Sequence, residues 1–195
     1  MEERQSEESV RPEDFRVVCL NVPPWPDLLE MFFNRQTEND RADYFLGQAL
    51  LSEVRTVTVA RYFGLFCPKG PGLVGFLGAW FVADEAEIHH IYLDPSFRRK
   101  GLGALFLKKF LLYAAGEGSD TVYLEVRRSN EAARALYEQS GFQVTGVRSD
   151  YYTEPREDAL LMVYNALQQP VEGRGGTVRT PVLMEGALSG ASLSH

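Results

Sequence analysis

The sequence has few of the residues that build disulfide frameworks or metal sites. Its 195 residues include two cysteines, Cys19 and Cys67, and three histidines. Two cysteines in apolar surroundings supply neither a disulfide framework nor a ligand pattern, so we expect reduced thiols in or near the core. His89 and His90 are neighbours in a β-rich stretch and are expected on opposite faces of a strand. Since His195 is the remaining histidine, no metal site is predicted.

Long apolar runs and an excess of positive charge are also missing. No run approaches the length of a membrane-spanning helix, so no membrane span is predicted. The formal net charge is -7, which argues against nucleic acid as the main ligand. The acidic N-terminus resembles neither a secretory signal nor an arginine-rich transit peptide. These observations favour a cytoplasmic protein, or one of an organelle matrix if a targeting segment has been removed.

What is present suffices for one domain. A chain of 195 residues with 45% apolar residues can bury a substantial core. Residues 1–14 are polar and acidic and are predicted to be disordered. Residues 168–195 are rich in Gly, Ser and Pro and are predicted to form a flexible tail. The folded domain is therefore predicted over residues 15–167.

The predicted elements form a mixed pattern of strands and helices. Strands are predicted over residues 15–22, 56–66, 73–83, 88–93, 121–127, 142–147 and 159–164. Helices are predicted over residues 27–33 and 41–54, from Gly101 onward, and between Asn130 and Gly141. This order contains one strand–helix–strand crossover in the middle of the chain, which favours an α/β fold.

One stretch, residues 87–103, stands at the centre of this pattern. Its β-rich beginning is stopped by Asp94-Pro95, and Gly101 and Gly103 then open a helix. A helix N-terminus carries free N–H groups and a partial positive charge. Three basic residues precede it, so the turn is suited to bind a pyrophosphate. The glycine spacing alone equally allows a charged loop before an ordinary amphipathic helix.

The pattern Arg-x-x-Gly-x-Gly between strand and helix points to a known family. It lacks the Gly-Lys-Ser/Thr of a P-loop and the third glycine of a dinucleotide fingerprint. It resembles motif A of the GCN5-related N-acetyltransferases (GNAT). Further segments follow in the order expected for this family: Leu124-Glu125-Val126-Arg127, Ser129-Asn130, Ala135-Leu136-Tyr137-Glu138, Gly141-Phe142, Tyr151-Tyr152 and Glu157-Asp158-Ala159. Over residues 75–162 the series is similar to the RimI-type ribosomal-protein-alanine N-acetyltransferases.

This resemblance implies both a fold and a reaction. The fold would be the GNAT fold, an α/β domain with a mixed, mostly antiparallel central sheet flanked by helices. The reaction would be direct acetyl transfer from acetyl-coenzyme A to the α-amino group of a protein N-terminus, such as a ribosomal protein N-terminal alanine. No metal is implied. Two alternatives stay open: a lysine or small-amine acetyltransferase of the same fold, and a non-catalytic module that binds acyl-coenzyme A or a partner.

The resemblance also assigns roles to side chains. Glu125 would act as the general base through a water, and Tyr137 would protonate the coenzyme A thiolate. The alternatives are a carboxylate paired with a cation such as Arg127, and a tyrosine that only packs in the core. Tyr151 and Tyr152 are predicted in the loop of the last hairpin, where they would flank the acceptor N-terminus or only anchor the loop.

Contacts to acetyl-coenzyme A are implied at a further set of positions. They are Ile91, Tyr92, Leu93, Arg99, Lys100, Gly101, Leu102, Gly103, Ala104 and Asn130. The strand residues would contribute main-chain groups where their strand parts from the next one, and the loop amides would hold the pyrophosphate. Asn130 would contact pantetheine or serve as a plain N-cap, and Arg98 would contact phosphate or be solvated.

Overall fold

The structure is a computed structural model that describes residues 11–20, 52–53, 56–67, 70 and 72–168. Its strands are β1 (Arg16–Cys19), β2 (Ala60–Cys67), β3 (Gly72–Val82), β4 (Glu85–Leu93), β5 (Thr121–Arg127), β6 (Gln143–Thr153) and β7 (Arg156–Asn165). Its α-helices are α1 (Leu102–Gly116) and α2 (Glu131–Gln139), and 3-10 turns lie at Pro12–Asp14, Pro95–Phe97 and Ala166–Gln168. The predicted helix over 27–33, most of that over 41–54, residues 1–10 of the predicted disordered segment and residues 169–195 of the predicted tail lie outside the described residues.

The strands form one sheet with the order β1-β2-β3-β4-β5-β7-β6. Neighbouring strands are antiparallel except β4 and β5, which are parallel. A parallel pair needs a crossover connection, and α1 supplies it at the place that the sequence predicts. The predicted α/β class with a mixed, mostly antiparallel sheet is therefore confirmed.

Alternation along the strands divides the sheet into two faces. Val122, Leu124 and Val126 of β5 point to the face covered by α1 and α2, where the larger core cluster lies. There Phe63 packs edge-on against Phe110 of α1, with 5.5 Å between the ring centroids. We call this the helix face, and a smaller apolar cluster from β2 and β3 lies on the opposite face. Because side chains alternate along a strand, the odd-numbered residues of β5 point to the opposite face.

Tyr151 and Tyr152 lie within β6, so the predicted long loop between the last two strands is wrong. Arg148 pairs with Ala159 and Tyr152 pairs with Glu157, so three residues separate these pairs on β6 but only one on β7. A bulge of this kind absorbs extra residues inside a strand, and aromatic residues favour the strand conformation. The hairpin therefore closes through a two-residue turn, and both tyrosines are held by the sheet.

His89 and His90 lie on the same side of β4, so their predicted placement on opposite faces is also wrong. In the β3–β4 ladder Gly78 pairs with His90 and Ala79 pairs with Ile88, which leaves His89 as the extra residue of a β-bulge. A bulge interrupts the alternation of side chains. The two imidazole centroids are accordingly only 6.4 Å apart.

Both cysteines are reduced thiols in or near the core, as predicted: Cys67 is buried and Cys19 is partly buried. Within the described residues, no group of three or more His, Cys, Asp or Glu side chains is arranged as a metal site would require. No α-helix in the same part of the chain combines the length and apolar character needed to cross a membrane.

Candidate active site

A gap opens between the parallel strands β4 and β5. Their ladder pairs Glu85–Ile88 with Thr121–Leu124 and ends there, although both strands continue. The bulge at His89 lies directly at this point of divergence. β4 was expected to part from the next strand, and it does part from β5 after Ile88. A cleft begins between the two strands at this point.

Two of the three predicted backbone contacts on β4 point toward this gap. The first residue after β4 donates its N–H to the Val74 carbonyl at 2.9 Å, and Tyr92 pairs with Phe76 in the same register. Hydrogen-bonded pairs alternate along an antiparallel ladder, so Tyr92 directs its N–H and C=O toward β3. Ile91 and Leu93 direct theirs away from β3, where an extended chain such as pantetheine could pair with them.

The loop that leads into α1 turns tightly at two left-handed residues. Arg99 has φ of 62° and Gly101, the N-cap of α1, has φ of 75°. The Gly101 carbonyl accepts the first helical hydrogen bond from Leu105 at 3.1 Å. A Cβ on Gly103 would lie 3.2 Å from Leu136 of α2, so the missing side chain lets the two helices approach. The N–H groups of the first turn have no partners inside a helix and are suited to an anion.

Arg98 fastens this loop to the end of β4. Its Nε donates to the Leu93 carbonyl at 2.8 Å, and its guanidinium lies 5.6 Å from the Tyr92 ring centroid. The ammonium of Lys100 lies 5.4 Å from the ring centroid of Phe97. From the sequence, Arg98 was expected either to contact phosphate or to be solvated. In the structure its side chain donates a hydrogen bond to the end of β4 instead.

Glu125 is the first residue of β5 beyond the paired stretch, and it carries an ion pair. Its Oε1 lies 2.7 Å from Nη1 of Arg148 on β6, and the Tyr151 hydroxyl is hydrogen-bonded to the same carboxylate. The Arg148 side chain is 56% exposed against 17% for Glu125. Arg127, the predicted alternative partner, pairs with Glu157 at 3.5 Å. Glu125 is thus paired with a cation, as one of the two alternatives from the sequence allowed, but the cation is Arg148 and not Arg127.

Tyr137 is a buried residue of α2, with 5% of its surface exposed. Its ring packs in the core on the helix face, 5.8 Å from the ring centroid of Phe142. Burial raises the pKa of the Tyr137 phenol to about 12, and nearby Tyr152 adds to the shift. The hydroxyl therefore stays protonated at neutral pH, so core packing and proton donation are compatible in this one side chain.

Tyr152 lies close to both candidate catalytic residues. The Arg127 guanidinium is 3.9 Å from its ring centroid. Burial raises the pKa of the Tyr152 phenol, Arg127 opposes the rise, and Glu125 and Tyr151 add to it. Tyr152 also raises the pKa of Tyr137. The structure thus brings four predicted site residues together at the carboxyl end of β5: Glu125, Tyr137, Tyr151 and Tyr152.

The start of α2 is fastened to β7. Asn130 is the N-cap, and its Oδ1 accepts the N–H of Ala133 at 3.1 Å. This capping leaves the side-chain N–H groups of Asn130 as the donors for the implied pantetheine contact. Glu157 accepts the backbone N–H of Ser129 and, at 3.0 Å, its hydroxyl. The Ser129 backbone bond and the Arg127 guanidinium hold the pKa of Glu157 below its usual range.

The roles of Arg148 and Glu157 could not be predicted from the sequence. Glu157 stands in the matched series of segments, but no local pattern shows that it reaches the start of α2. Arg148 meets Glu125 because β7 lies between β5 and β6 in the sheet. Its contact depends on strand order, and a run of alternating residues carries no information on that order.

We expect Gly103→Glu to weaken acetyl-coenzyme A binding at least about tenfold, since a carboxylate in this turn would repel a pyrophosphate. A negative charge near a helix N-terminus is favourable, but the Leu136 side chain must shift to admit the new Cβ, so the melting temperature of the variant is measured beside its affinity. Gly116→Glu at the other end of α1 adds the same charge, and its Cβ would meet nothing within 4 Å. Calorimetric titration of both variants measures the effect, and equal affinity in the two would contradict the pyrophosphate role of the turn.

Comparison with known proteins agrees with this geometry. The profile of the acetyltransferase (GNAT) family matches residues 24–142. The ribosomal protein bS18-alanine N-acetyltransferase of Escherichia coli K12 is 38% identical over 104 residues, which span 52% of this chain and 70% of that enzyme. A Bacillus subtilis protein is 37% identical over 98 residues, or 50% of this chain and 65% of that protein. The crystal structure of the ribosomal-protein-S18-alanine N-acetyltransferase from E. coli superposes with a TM-score of 0.56 at 32% identity, covering 65% of this chain and 81% of that one.

The chain therefore belongs to the acetyltransferase (GNAT) family. This confirms the predicted enzyme class, an N-acetyltransferase, and the resemblance to the RimI-type branch. The family match begins at residue 24, well before residue 75, where the resemblance seen in the sequence begins. The family domain thus includes much of the chain ahead of β3.

Proposed function

We propose that the protein transfers an acetyl group from acetyl-coenzyme A to the α-amino group of a protein N-terminus, with a ribosomal protein that begins with alanine as the acceptor. The observation that supports this is the similarity to the E. coli enzyme named for alanine acetylation on a ribosomal protein. The grouping of Glu125, Tyr137 and Tyr152 beside the strand gap is consistent with it. An acceptor of this kind places the reaction in the cytoplasm or in an organelle matrix.

The donors around the gap fit acetyl-coenzyme A in order along its length. The first turn of α1 offers backbone N–H groups to the pyrophosphate, with Arg99 and Lys100 supplying positive charge beside it. Ile91 offers its N–H and C=O and Leu93 its N–H to the pantetheine amides, since the Leu93 carbonyl already accepts from Arg98, and Asn130 offers its side-chain N–H groups. When bound, acetyl-coenzyme A supplies the activated acetyl group as a thioester.

The side chains at the carboxyl end of β5 then act on protons. An amine attacks only as the neutral base, because an ammonium has no lone pair. Glu125 accepts a proton from the acceptor nitrogen, directly or through a water. The Tyr137 O–H donates to the sulfur as it leaves, and Tyr151 and Tyr152 flank the acceptor. Holding donor and acceptor together in one cleft removes much of the entropic barrier to their encounter.

A peptide panel tests this function. Purified protein and acetyl-coenzyme A would be mixed with peptides that share one sequence but differ in the first residue, alanine among them. A matched peptide with a blocked N-terminus and one free lysine serves as the control. Coenzyme A release and the mass of each peptide are measured together, and the modified nitrogen is assigned by fragmentation.

We expect acetylation at the α-amine and the highest kcat/KM for the peptide that begins with alanine. Acetylation of the blocked peptide at lysine would instead establish the lysine alternative. Binding of acetyl-coenzyme A with no modification of any amine would favour a sensor of acyl-coenzyme A.

A further inference from the structure

His90 and Glu125 face the strand gap from its two sides. β4 parts from β5 directly after Ile88, so His90 lies on the stretch of β4 that pairs with β3 but not with β5. The bulge turns both imidazoles to the face opposite α1, where the His89 ring lies 4.5 Å from the Trp80 ring centroid. Glu125 is the first residue of β5 that has no partner on β4, and it points to the same face. Each strand of the gap therefore carries one side chain able to accept a proton.

His90 is partly buried beside a carboxylate that is itself held in place. Glu53 accepts a hydrogen bond from the Trp80 indole. Burial and then the charge of Glu53 raise the pKa of the Tyr62 phenol. The Tyr62 ring lies against Gly78, the residue that pairs with His90, since a Cβ there would be 2.6 Å from the ring. Glu53 is thus positioned on the same face of the sheet, where its charge acts on the imidazole.

Several titratable groups surround this imidazole in the part of the chain that the structure describes. They are Glu53 and His89, which act on its pKa, Tyr62 against its partner Gly78, Glu87 beside His89, Tyr92 two residues along β4, and Glu125 across the gap. Burial lowers the pKa of His90, Glu53 opposes the shift, and His89 adds to it. The carboxylate of Glu87 lies 3.8 Å from Nε2 of His89. The balance leaves His90 neutral at physiological pH, with a lone pair available to accept a proton.

The chemistry of amine acetylation calls for more than one proton acceptor. The acceptor ammonium loses one proton before its nitrogen can attack and a second one as the amide forms, while the sulfur takes up one. Glu125 is already paired with Arg148 at 2.7 Å. An ordinary imidazole, with a pKa of about 6.5, is closer to an α-amine at about 8 than a carboxylate at about 4.3. Burial reduces this advantage for His90, and Glu53 opposes the reduction. The first transfer is therefore less unfavourable to an imidazole.

We propose that His90 is a further catalytic residue, which takes the first proton from the acceptor ammonium, while Glu125 takes the second. This inference rests on the proposed acetyltransferase function. The nitrogen lone pair forms the N–C bond, the C–S electron pair leaves with the sulfur, and Tyr137 gives the sulfur a proton. Glu125 then restores the Tyr137 hydroxyl and His90 returns its proton to solvent, so that one proton is released in total. Glu53 stabilises the imidazolium in between.

The test compares His90→Asn with His89→Asn, a matched loss of the neighbouring imidazole. kcat/KM for an alanine-starting peptide is measured from about pH 6 to about pH 9.5. His90→Asn should reduce it about 10- to 100-fold near pH 7. The deficit should shrink above about pH 8, because a peptide amine that is already neutral needs no first acceptor. His89→Asn should keep kcat/KM near the wild-type value at neutral pH, and its profile should move only slightly upward in pH because one cause of the lowered His90 pKa is lost.

A deficit that is the same at every pH would mean a structural role and would overturn the proposal, as would an unchanged His90→Asn enzyme. If His90→Asn does not fold, His90→Gln is measured, and the NMR titration of the wild-type imidazole provides an independent test. An imidazole of His90 that stays protonated through neutral pH overturns the proposal, and a neutral one supports it. Wild-type protein that acetylates no α-amine would instead remove the proposed function itself, so the two failures are distinguishable.

Discussion

Tyr137→Phe should lower kcat by about 100-fold or more, the usual effect of losing a general acid. The change removes one hydroxyl and keeps the ring that packs 5.8 Å from Phe142, so the fold should persist. The hydroxyl acts on the sulfur as the C–S bond breaks, and the loss is therefore expected in kcat rather than in the affinity for acetyl-coenzyme A. Steady-state kinetics and calorimetric titration separate these two quantities.

Tyr123→Phe is the matched control for this variant. Tyr123 lies on the same strand as Glu125, is 38% exposed, and donates its hydroxyl to Glu85 at 3.0 Å. It stands in the paired stretch of β5, away from the gap, so its loss should leave kcat unchanged. An unaltered kcat in Tyr137→Phe would show that the buried tyrosine only packs.

The raised pKa of Tyr137 also predicts a pH profile. The proton donor is present below the phenol pKa and is lost as the pH rises through it. Because burial raises this pKa to about 12, ionisation of Tyr137 should cause no decline of kcat below about pH 11. A decline at about pH 9 to 10 that disappears in Tyr137→Phe would show that the phenol ionises earlier than its burial implies.

Glu125→Gln is expected to have an effect of similar size, lowering kcat about 100-fold or more. Glutamine keeps the shape of the side chain and can still bond the Tyr151 hydroxyl, but it cannot accept a proton from the acceptor nitrogen. It also loses the ion pair with Arg148. Kinetic measurement of kcat alone cannot divide the loss between these two causes, so a second variant is needed.

Arg148→Met makes this division, because it removes the ion pair and keeps the carboxylate. The Arg148 side chain is more than half exposed, and exposed ion pairs contribute about 1 kcal/mol or less. We expect Arg148→Met to reduce kcat far less than Glu125→Gln does. Glu85→Gln, an isosteric change in the paired stretch of the sheet, should leave kcat unchanged. Equal losses in Arg148→Met and Glu125→Gln would assign the effect to the ion pair and contradict general-base catalysis by Glu125.

The segment from β5 to the end of α2 shows how far a local pattern reaches. Alternation in Thr121–Arg127 predicts a strand of those bounds, and Asn130 predicts the cap that the structure has. Gly141 has φ of 95°, the left-handed conformation expected of the residue after a helix. These features depend on residues within a few positions of each other, and their sequence therefore specifies them.

The two bulges show where such patterns stop. Alternation predicted His89 and His90 on opposite faces and Tyr151 and Tyr152 in a loop, and both predictions were wrong. A bulge exists only in relation to a partner strand. The pattern of apolar residues along β4 or β6 does not show where the partner strand has one or two residues fewer, which is where the bulge forms.

The sequence alone indicated the family, the mixed sheet with its one crossover, the glycine turn before α1, and Glu125 and Tyr137 as candidates for proton transfer. The tertiary structure determined what those residues meet. Because β7 lies between β5 and β6, the backbones that carry Glu125 and Arg148 are two strand spacings apart, about 10 Å. The two long side chains meet across β7. Contacts of this kind follow from the order in which distant segments pair, which depends on the packing of the whole sheet.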